Sequence, residues 1–285
     1  MTRFFNYLQE KYSINILCFL ILGMSLSGLL LNNNSIHIFT FLFSVIGLIL
    51  FFFTVPIIED LKELNRLKKD FPEKSFHSLL SLDELIFILN FLQSTMFLFS
   101  LLTFFIFSIE AGTVYLIVAV YLWDINKDFY IRRWLNKNFF LKRLLCNLIY
   151  IPVALFPVAL SDSEAIAKFS SLSYSFMIFS IFFCYFICER LDPQIHPRIQ
   201  TYIHYYGFHK VFYACSILLI FSAFSAQAIG LQFILWPVEL ALFLSLCAVF
   251  IDSTKFKFAE QTAKASLLVH VWAVVLMHVY LLVLK

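Results

Sequence analysis

The sequence predicts an all-α fold: a polytopic membrane bundle of about nine transmembrane helices, forming a single domain over residues 1–285. Hydrophobic residues make up 61% of the chain and charged residues 14%, whereas soluble domains average about 45–50% and about 25%. The apolar stretches also have the length of about 20 residues that a helix needs to cross a bilayer. Only helices satisfy their own backbone hydrogen bonds over such stretches, and the sequence lacks the short alternating strands of a membrane barrel.

Nine apolar stretches are separated by polar or charged connections. In chain order they cover 14–32, 36–57, 85–109, 112–130, 144–160, 166–187, 211–229, 231–251 and 263–284. The fourth stretch is the weakest candidate for a span, because Asp124, Lys127 and Asp128 interrupt its apolar run.

The connections alternate between short and long, so the long ones all lie on one side of the membrane. They cover 58–84, 131–143, 188–210 and 252–262. Of the 21 Lys and Arg residues, all but Lys168 and Lys285 lie on that side or at its edge. Since cytoplasmic loops are enriched in Lys and Arg, this pattern predicts a cytoplasmic N-terminus, a C-terminus outside and an odd number of spans.

The clearest candidate site follows the second stretch, where Asp60 and Glu63 stand three residues apart at a helix end. Residues at that spacing share one face of a helix. Carboxylates in such a place can hold Mg²⁺, which takes oxygen ligands, while Lys62 and Arg66 beside them can neutralise a diphosphate. The alternative is a solvated loop that only anchors the end of the helix.

A second candidate lies at the end of the fourth stretch, where Asp124 and Asp128 stand four residues apart. Ionisable groups near membrane depth are costly and usually face a cavity or a partner, so these acids are candidates for the lining of a cavity. The basic residues that follow are interpreted as contacts with anionic lipid headgroups. They are Arg132, Arg133, Lys137, Lys142 and Arg143.

A third candidate follows the sixth stretch, where Glu189, Asp192 and His196 recur at helical spacing. Pro193 and Pro197 disturb a regular helix there. Asp192 is the candidate for a further metal ligand.

Several residues inside the stretches also have donor side chains. His270 and His278 can bind haem or a metal ion, but one helix cannot supply opposite axial ligands to a single haem. Cys184 and Cys188 are one helical turn apart and are interpreted as small apolar residues.

Three groups of residues carry a family resemblance. The first is Glu59-Asp60-Leu61-Lys62-Glu63, with Pro72-Glu73-Lys74-Ser75 and Ser81-Leu82-Asp83-Glu84-Leu85. The second is Tyr121-Leu122-Trp123, with Lys127-Asp128-Phe129-Tyr130 and Trp134-Leu135, and the third is Asp192-Pro193, with Thr201-Tyr202 and Gly207. In order and position the set resembles the motifs of the UbiA superfamily of integral membrane prenyltransferases. Leu67 and His196 stand where that family usually has acids.

The resemblance implies nine spans with two acidic segments on the cytoplasmic side. It also implies an enzyme that uses Mg²⁺ to move a prenyl group from an isoprenyl diphosphate to a lipophilic or aromatic acceptor. It assigns Asp60, Glu63 and Asp192 as metal ligands, Asp124 and Asp128 as further catalytic residues, and Lys62, Arg66 and Arg198 as contacts of the diphosphate. We therefore expect a magnesium-dependent prenyltransferase in contact with membrane lipid, in a bacterial inner membrane.

Two alternatives stay open at this point. One is a UbiA-like terpene cyclase, or a non-catalytic relative that binds a lipid. The other is a small membrane transporter, a class that usually places polar groups in the middle of several spans. Apart from Glu239 and the histidines of the last stretch, the middles of the spans are apolar, which disfavours a transporter. The formal net charge of +3 gives no indication of a nucleic-acid partner.

Overall fold

The computed structural model describes residues 14–32, 36–70, 80–135, 138–189, 191 and 202–283, without the side chains of 66–70, 132, 133, 204 and 253. Every regular element in those ranges is helical. The helices are α1 (Ile14–Leu30), α2 (Ile38–Asp70), α3 (Leu82–Ile106), α4 (Ile109–Asn126), α5 (Arg132–Leu135), α6 (Phe139–Asn147), α7 (Tyr150–Ser161), α8 (Phe169–Cys188), α9 (Tyr202–Ala228), α10 (Gln232–Ile251) and α11 (Phe256–Val283). The predicted all-α polytopic bundle is confirmed, and the chain is an integral membrane protein.

Eight helical segments in the described ranges are long and apolar enough to cross a bilayer, with α6 and α7 counted together as Phe139–Ser161. The shorter apolar helix α1 has 17 residues and spans about 25 Å at 1.5 Å per residue. Large apolar side chains on the outside are extensively exposed, for example Phe105 at 87% and Phe233 at 85%. Contact with membrane lipid explains such exposure, because soluble proteins rarely leave large apolar patches uncovered.

Helices α2 and α3 extend beyond the apolar stretches that predict them. Helix α2 continues past the end of its stretch at 57 as far as Asp70, because a helix leaving the membrane still satisfies its own backbone hydrogen bonds. Helix α3 begins earlier than its stretch, at Leu82, because Ser81 and Glu84 form a capping box. The backbone N–H of Glu84 donates to Oγ of Ser81 at 3.2 Å, and that of Ser81 donates to Oε2 of Glu84 at 2.8 Å.

Helix α8 lies at the centre of the bundle. Of its apolar stretch, 78% is buried, against 33% for α9, α10 and α11. It packs against α7, α9 and α11, while α11 returns to pack against α1 and so joins the two halves of the chain. Helices α1 and α7 approach closely at Gly28, where an added Cβ would lie 2.6 Å from Cβ of Pro157. Small residues permit such close helix contacts in membranes, where packing drives association.

Candidate functional site at the charged end

Five charged side chains meet where the apolar part of α2 ends, α4 ends and α6 begins. They are Glu59, Lys62, Asp128, Lys142 and Arg143, and we call this region the charged end. The Nζ atom of Lys62 lies 2.7 Å from Oδ1 of Asp128, and Nζ of Lys142 lies 3.2 Å from the same oxygen. The Nη1 atom of Arg143 lies 3.4 Å from Oε1 of Glu59. One carboxylate therefore contacts two ammonium groups, and the end of α2 is tied to both neighbouring elements.

The backbone that carries Asp128 forms a left-handed turn. Asp128, Phe129 and Tyr130 have φ values of 51°, 52° and 58°, and this conformation costs L residues roughly 1–2 kcal/mol each. The Nε1 atom of Trp123 donates to the hydroxyl of Tyr130 at 3.0 Å and closes the turn onto α4. Strained backbone persists only where the surroundings hold it, and it clusters at functional sites. The turn therefore marks the charged end as a candidate site.

The carboxyl group of Asp128 is the electrostatic centre of this region. Its burial would raise its pKa, but the hydrogen bond and charge of Lys62, together with Lys142, hold that pKa below its ordinary value. Asp128 is therefore an anion at neutral pH even though only 8% of the residue is exposed. The five side chains of the charged end carry three positive and two negative charges, and the acids Asp60, Glu63 and Asp124 lie beside them. A region with both signs of charge suits an anionic ligand that binds together with a cation.

The acids predicted at the end of α2 lie beside this network. Asp60 is half-buried and Glu63 is exposed, and both flank Lys62 on the same continuous helix. Asp124 is half-buried on α4, one turn before Asp128. The structure therefore brings four of the five predicted catalytic residues to one end of the bundle.

The other predicted site residues lie wholly or partly outside the described part of the chain. Asp192 and Arg198 lie outside the described residues, as does His196. Arg66 lies on α2, but its side chain is outside the described part of the chain. The metal site that the resemblance implies for Asp60, Glu63 and Asp192 therefore stays a prediction.

An aromatic cluster lies beneath the charged end and connects α2 to α8. The rings of Tyr150 and Phe182 stack at 4.1 Å between centroids. Phe182 lies 6.2 Å from Phe52, and Tyr150 lies 5.9 Å from Phe186. The two helices that lead into the predicted acidic segments are thus in contact through aromatic side chains.

Two cations of the site have partners in the structure that differ from those predicted from the sequence. Lys142 and Arg143 were interpreted as contacts of lipid headgroups, whereas the structure pairs them with Asp128 and Glu59. The partners are distant in the chain, so no local spacing could indicate these pairs. In the sequence, the positive charge of these two residues after the weak fourth stretch was the only indication that they could belong to a site.

A second polar contact lies inside the membrane-spanning part, between α10 and α11. The Nε2 atom of His270 lies 3.2 Å from Oε1 of Glu239, and Nδ1 lies 2.7 Å from the carbonyl oxygen of Ser266. Glu239 is 5% exposed and His270 is fully buried. Because a carbonyl only accepts, Nδ1 carries a hydrogen. The contact with Glu239 then holds one shared proton, in either a neutral pair or an ion pair.

The second histidine of α11 does not take part in this pair. The Nδ1 atom of His278 contacts the carbonyl oxygen of Val274 at 3.0 Å, within its own helix. The two histidines considered together in the sequence therefore have separate partners.

Comparison with protein-family models, with characterised proteins and with solved structures gives no match.

Proposed function

We propose that this protein is a UbiA-type membrane prenyltransferase, which moves a prenyl group from an isoprenyl diphosphate to a lipophilic or aromatic acceptor with Mg²⁺. The observation that carries the proposal is the charged end. There, Asp60 and Glu63 lie on the same helix end as Lys62, and Lys62 meets Lys142 at Asp128. Oxygen ligands for Mg²⁺ and cations for a diphosphate are thus available in one place.

In this proposal Asp60, Glu63 and Asp192 hold Mg²⁺, which supplies positive charge to the diphosphate. Lys62 donates to Asp128 and to the carbonyl oxygen of Ile125. Because an ammonium group has three donors, one hydrogen is left for a phosphate oxygen. Arg66 and Arg198 are the other proposed contacts of the diphosphate. These charges stabilise the leaving group as the allylic C–O bond breaks.

The aromatic cluster suits the other half of such a substrate. Breaking the C–O bond leaves the electron pair on the diphosphate and a carbocation on the prenyl chain, and the acceptor then bonds to that carbon and loses a proton. Ring faces attract cations, and Phe52, Tyr150 and Phe182 lie on the membrane side of the charged end. These rings are buried against one another, so a prenyl chain would have to separate them to reach their faces. A terpene cyclase would share the first step but let a double bond of the same chain trap the cation.

The proposal also includes an orientation, with the charged end in the cytoplasm of a bacterium and the protein in the inner membrane. Cysteines introduced as Ser75→Cys and Ser163→Cys distinguish the two sides in intact cells. We expect an impermeant reagent to label Ser163→Cys and to leave Ser75→Cys unlabelled. Labelling of Ser75→Cys from outside would reverse the orientation.

The activity is tested with membranes that contain the protein, supplied with a panel of radiolabelled prenyl diphosphates with and without Mg²⁺. We expect one chain length to give a lipophilic product only when Mg²⁺ is present. Membranes with the Asp60→Asn variant are the matched control. A product formed equally by both, or no Mg²⁺-dependent product from any diphosphate in lipid extracts that supply acceptors, would refute the proposal.

A second candidate function, a small proton-coupled transporter, is favoured by one observation. Glu239 and His270 form a buried ionisable pair within the spans, and such groups often mark proton pathways. Proteoliposomes with an internal pH-sensitive dye test it. Proton flux that Glu239→Gln abolishes would support transport, whereas flux equal to that of empty liposomes would exclude it.

A further inference from the structure

Three cysteine thiols meet near the end of α8. Cys184 and Cys188 lie on α8 and Cys215 lies on α9, with their Sγ atoms all within 4.8 Å of one another. Cys184 and Cys215 are fully buried and Cys188 is 1% exposed. The cluster therefore draws on two helices and is closed to bulk solvent.

The geometry follows from helix periodicity and packing. Cys184 and Cys188 are four residues apart, so both point from one face of α8. That face is covered by α9, which supplies Cys215 at the matching height. Only the spacing of the first two thiols was visible in the sequence, and it gave no indication of the third.

Three sulfur atoms at this separation are close to the arrangement of a metal site. Ligand sulfurs around one ion with metal–sulfur bonds of about 2.3 Å lie roughly 3.8–4.0 Å apart. Small rotations of the thiol groups bring sulfurs separated by at most 4.8 Å to that distance. Thiolates select soft ions such as Cu⁺ and Zn²⁺ over Mg²⁺ or Ca²⁺.

We propose that Cys184, Cys188 and Cys215 form a binding site for one thiophilic closed-shell metal ion, with Cu⁺ as the best match. Cu⁺ is satisfied by three sulfur ligands, whereas structural Zn²⁺ takes four ligands in a tetrahedron. The imidazole of His270 is already held at both nitrogens by Ser266 and Glu239. Binding of Cu⁺ releases one thiol proton, so that one thiolate balances the charge of the ion and the other two sulfurs bind it as neutral thiols, without a net charge in the buried site.

A bound ion would cross-link the end of α8 to α9. The inference does not depend on prenyl transfer, because metal binding is measured without any substrate.

The test uses the purified full-length protein in detergent, reduced and without oxygen. Cu⁺ is titrated in competition with a chromogenic Cu⁺ chelator, and Zn²⁺ is titrated separately. The variants are Cys184→Ala and Cys215→Ala, and the matched controls are Cys247→Ala on α10 and Cys18→Ala on α1. We expect one equivalent of Cu⁺ in the wild type and both controls. We expect the affinity to fall by about 100-fold or more in the two cluster variants, since even outer partners of metal ligands are worth about 10–100-fold.

X-ray absorption at the copper edge supplies a measurement that needs no variant. The wild-type protein loaded with one equivalent of Cu⁺ should show three sulfur neighbours and no nitrogen or oxygen neighbour. Three results would overturn the proposal: no stoichiometric binding of either ion, an affinity unchanged in Cys184→Ala and Cys215→Ala, or a first shell of fewer than three sulfurs. In each of these cases the three thiols do not form one metal site.

Discussion

The charged end and the Glu239–His270 pair are both built from close contacts between acidic and basic side chains, yet they differ in number of partners and in solvent access. At the charged end, Asp128 contacts Lys62 and Lys142, whose side chains are 27% and 24% exposed. In the interior, the side chains of Glu239 and His270 are 6% and 0% exposed. Several partly hydrated cations can exchange partners with an incoming anion at low cost, whereas breaking a buried pair leaves an uncompensated polar group. The difference supports the proposal that the first region binds a ligand, and it favours a role in packing for the second.

The backbone supports the same distinction. Asp128, Phe129 and Tyr130 adopt a left-handed turn, while Glu239 and His270 lie within long helices. Strain is tolerated where function requires a special geometry, and regular helices are sufficient where side chains only need to pack.

The largest effect is expected from Asp60→Asn, assayed as Mg²⁺-dependent prenyl transfer. The substitution keeps the shape of the side chain and removes the charge that would bind Mg²⁺. Loss of one such electrostatic contact lowers rates by about 10²–10³-fold, by analogy with removal of an oxyanion-hole donor. Asp83→Asn is the control, because Asp83 is an exposed acid on the first turn of α3. Transfer by Asp60→Asn at the wild-type rate would remove this acid from the site.

A smaller effect, on stability, is expected from Asp128→Asn. The variant leaves Lys62 and Lys142 next to each other without an anion, and we expect the free energy of unfolding to fall by about 1–3 kcal/mol. Asp162→Asn is the matched control, because it makes the same substitution in an aspartate that also pairs with a lysine. Asp162 contacts Lys168 at 3.0 Å, but in an exposed position. That pair should contribute less than about 1 kcal/mol. Denaturant unfolding in mixed micelles measures both variants, and equal losses would contradict the special role of Asp128.

The lowered pKa of the Asp128 carboxyl group predicts that the stability of the fold depends on pH. Its pKa is lowered in the folded protein, so it stabilises the fold fully above the unfolded value of about 3.9. This contribution is lost as the pH falls through the folded pKa. Between pH 7 and pH 3, the stability gap between wild type and Asp128→Asn should therefore stay constant at first and then narrow below about pH 3.9. A gap that instead narrows between pH 7 and pH 5 would point to another group.

The smallest effect is expected from a double-mutant cycle between Glu239→Ala and His270→Ala. Hydrogen bonds between membrane helices have coupling energies of about 0.6 kcal/mol on average and at most about 1.7 kcal/mol, and we expect this pair in that range. Neither variant should alter prenyl transfer after correction for the amount of folded protein. A loss of activity in folded Glu239→Ala would mean that the interior pair also takes part in function.

The difference between the two regions also explains how far sequence analysis could go. Apolar length predicted the spans, and helical spacing placed Asp60 and Glu63 on one helix that the structure extends to Asp70. Both inferences use only neighbours along the chain. The pairs of Lys142 with Asp128 and of Glu239 with His270 depend on which helices pack together and how each is rotated.

The left-handed turn was equally hidden. Asp128, Phe129 and Tyr130 include no glycine, the residue that usually marks positive φ, and their backbone is held by tertiary contacts such as the one from Trp123. Cys215 joined Cys184 and Cys188 only through the packing of α9 on α8. Local patterns thus predicted which elements form, and the contacts between elements determined the chemistry.

The proposed binding of a ligand at the charged end is tested most directly by thermal unfolding of the purified protein with each prenyl diphosphate of the panel, with and without Mg²⁺. A ligand that binds only the folded state raises the unfolding temperature. We predict a Mg²⁺-dependent rise in the wild type, in Asp83→Asn and in Glu239→Gln, and no such rise in Asp60→Asn. A rise that persists in Asp60→Asn but disappears in Glu239→Gln would place the ligand in the interior and contradict the account.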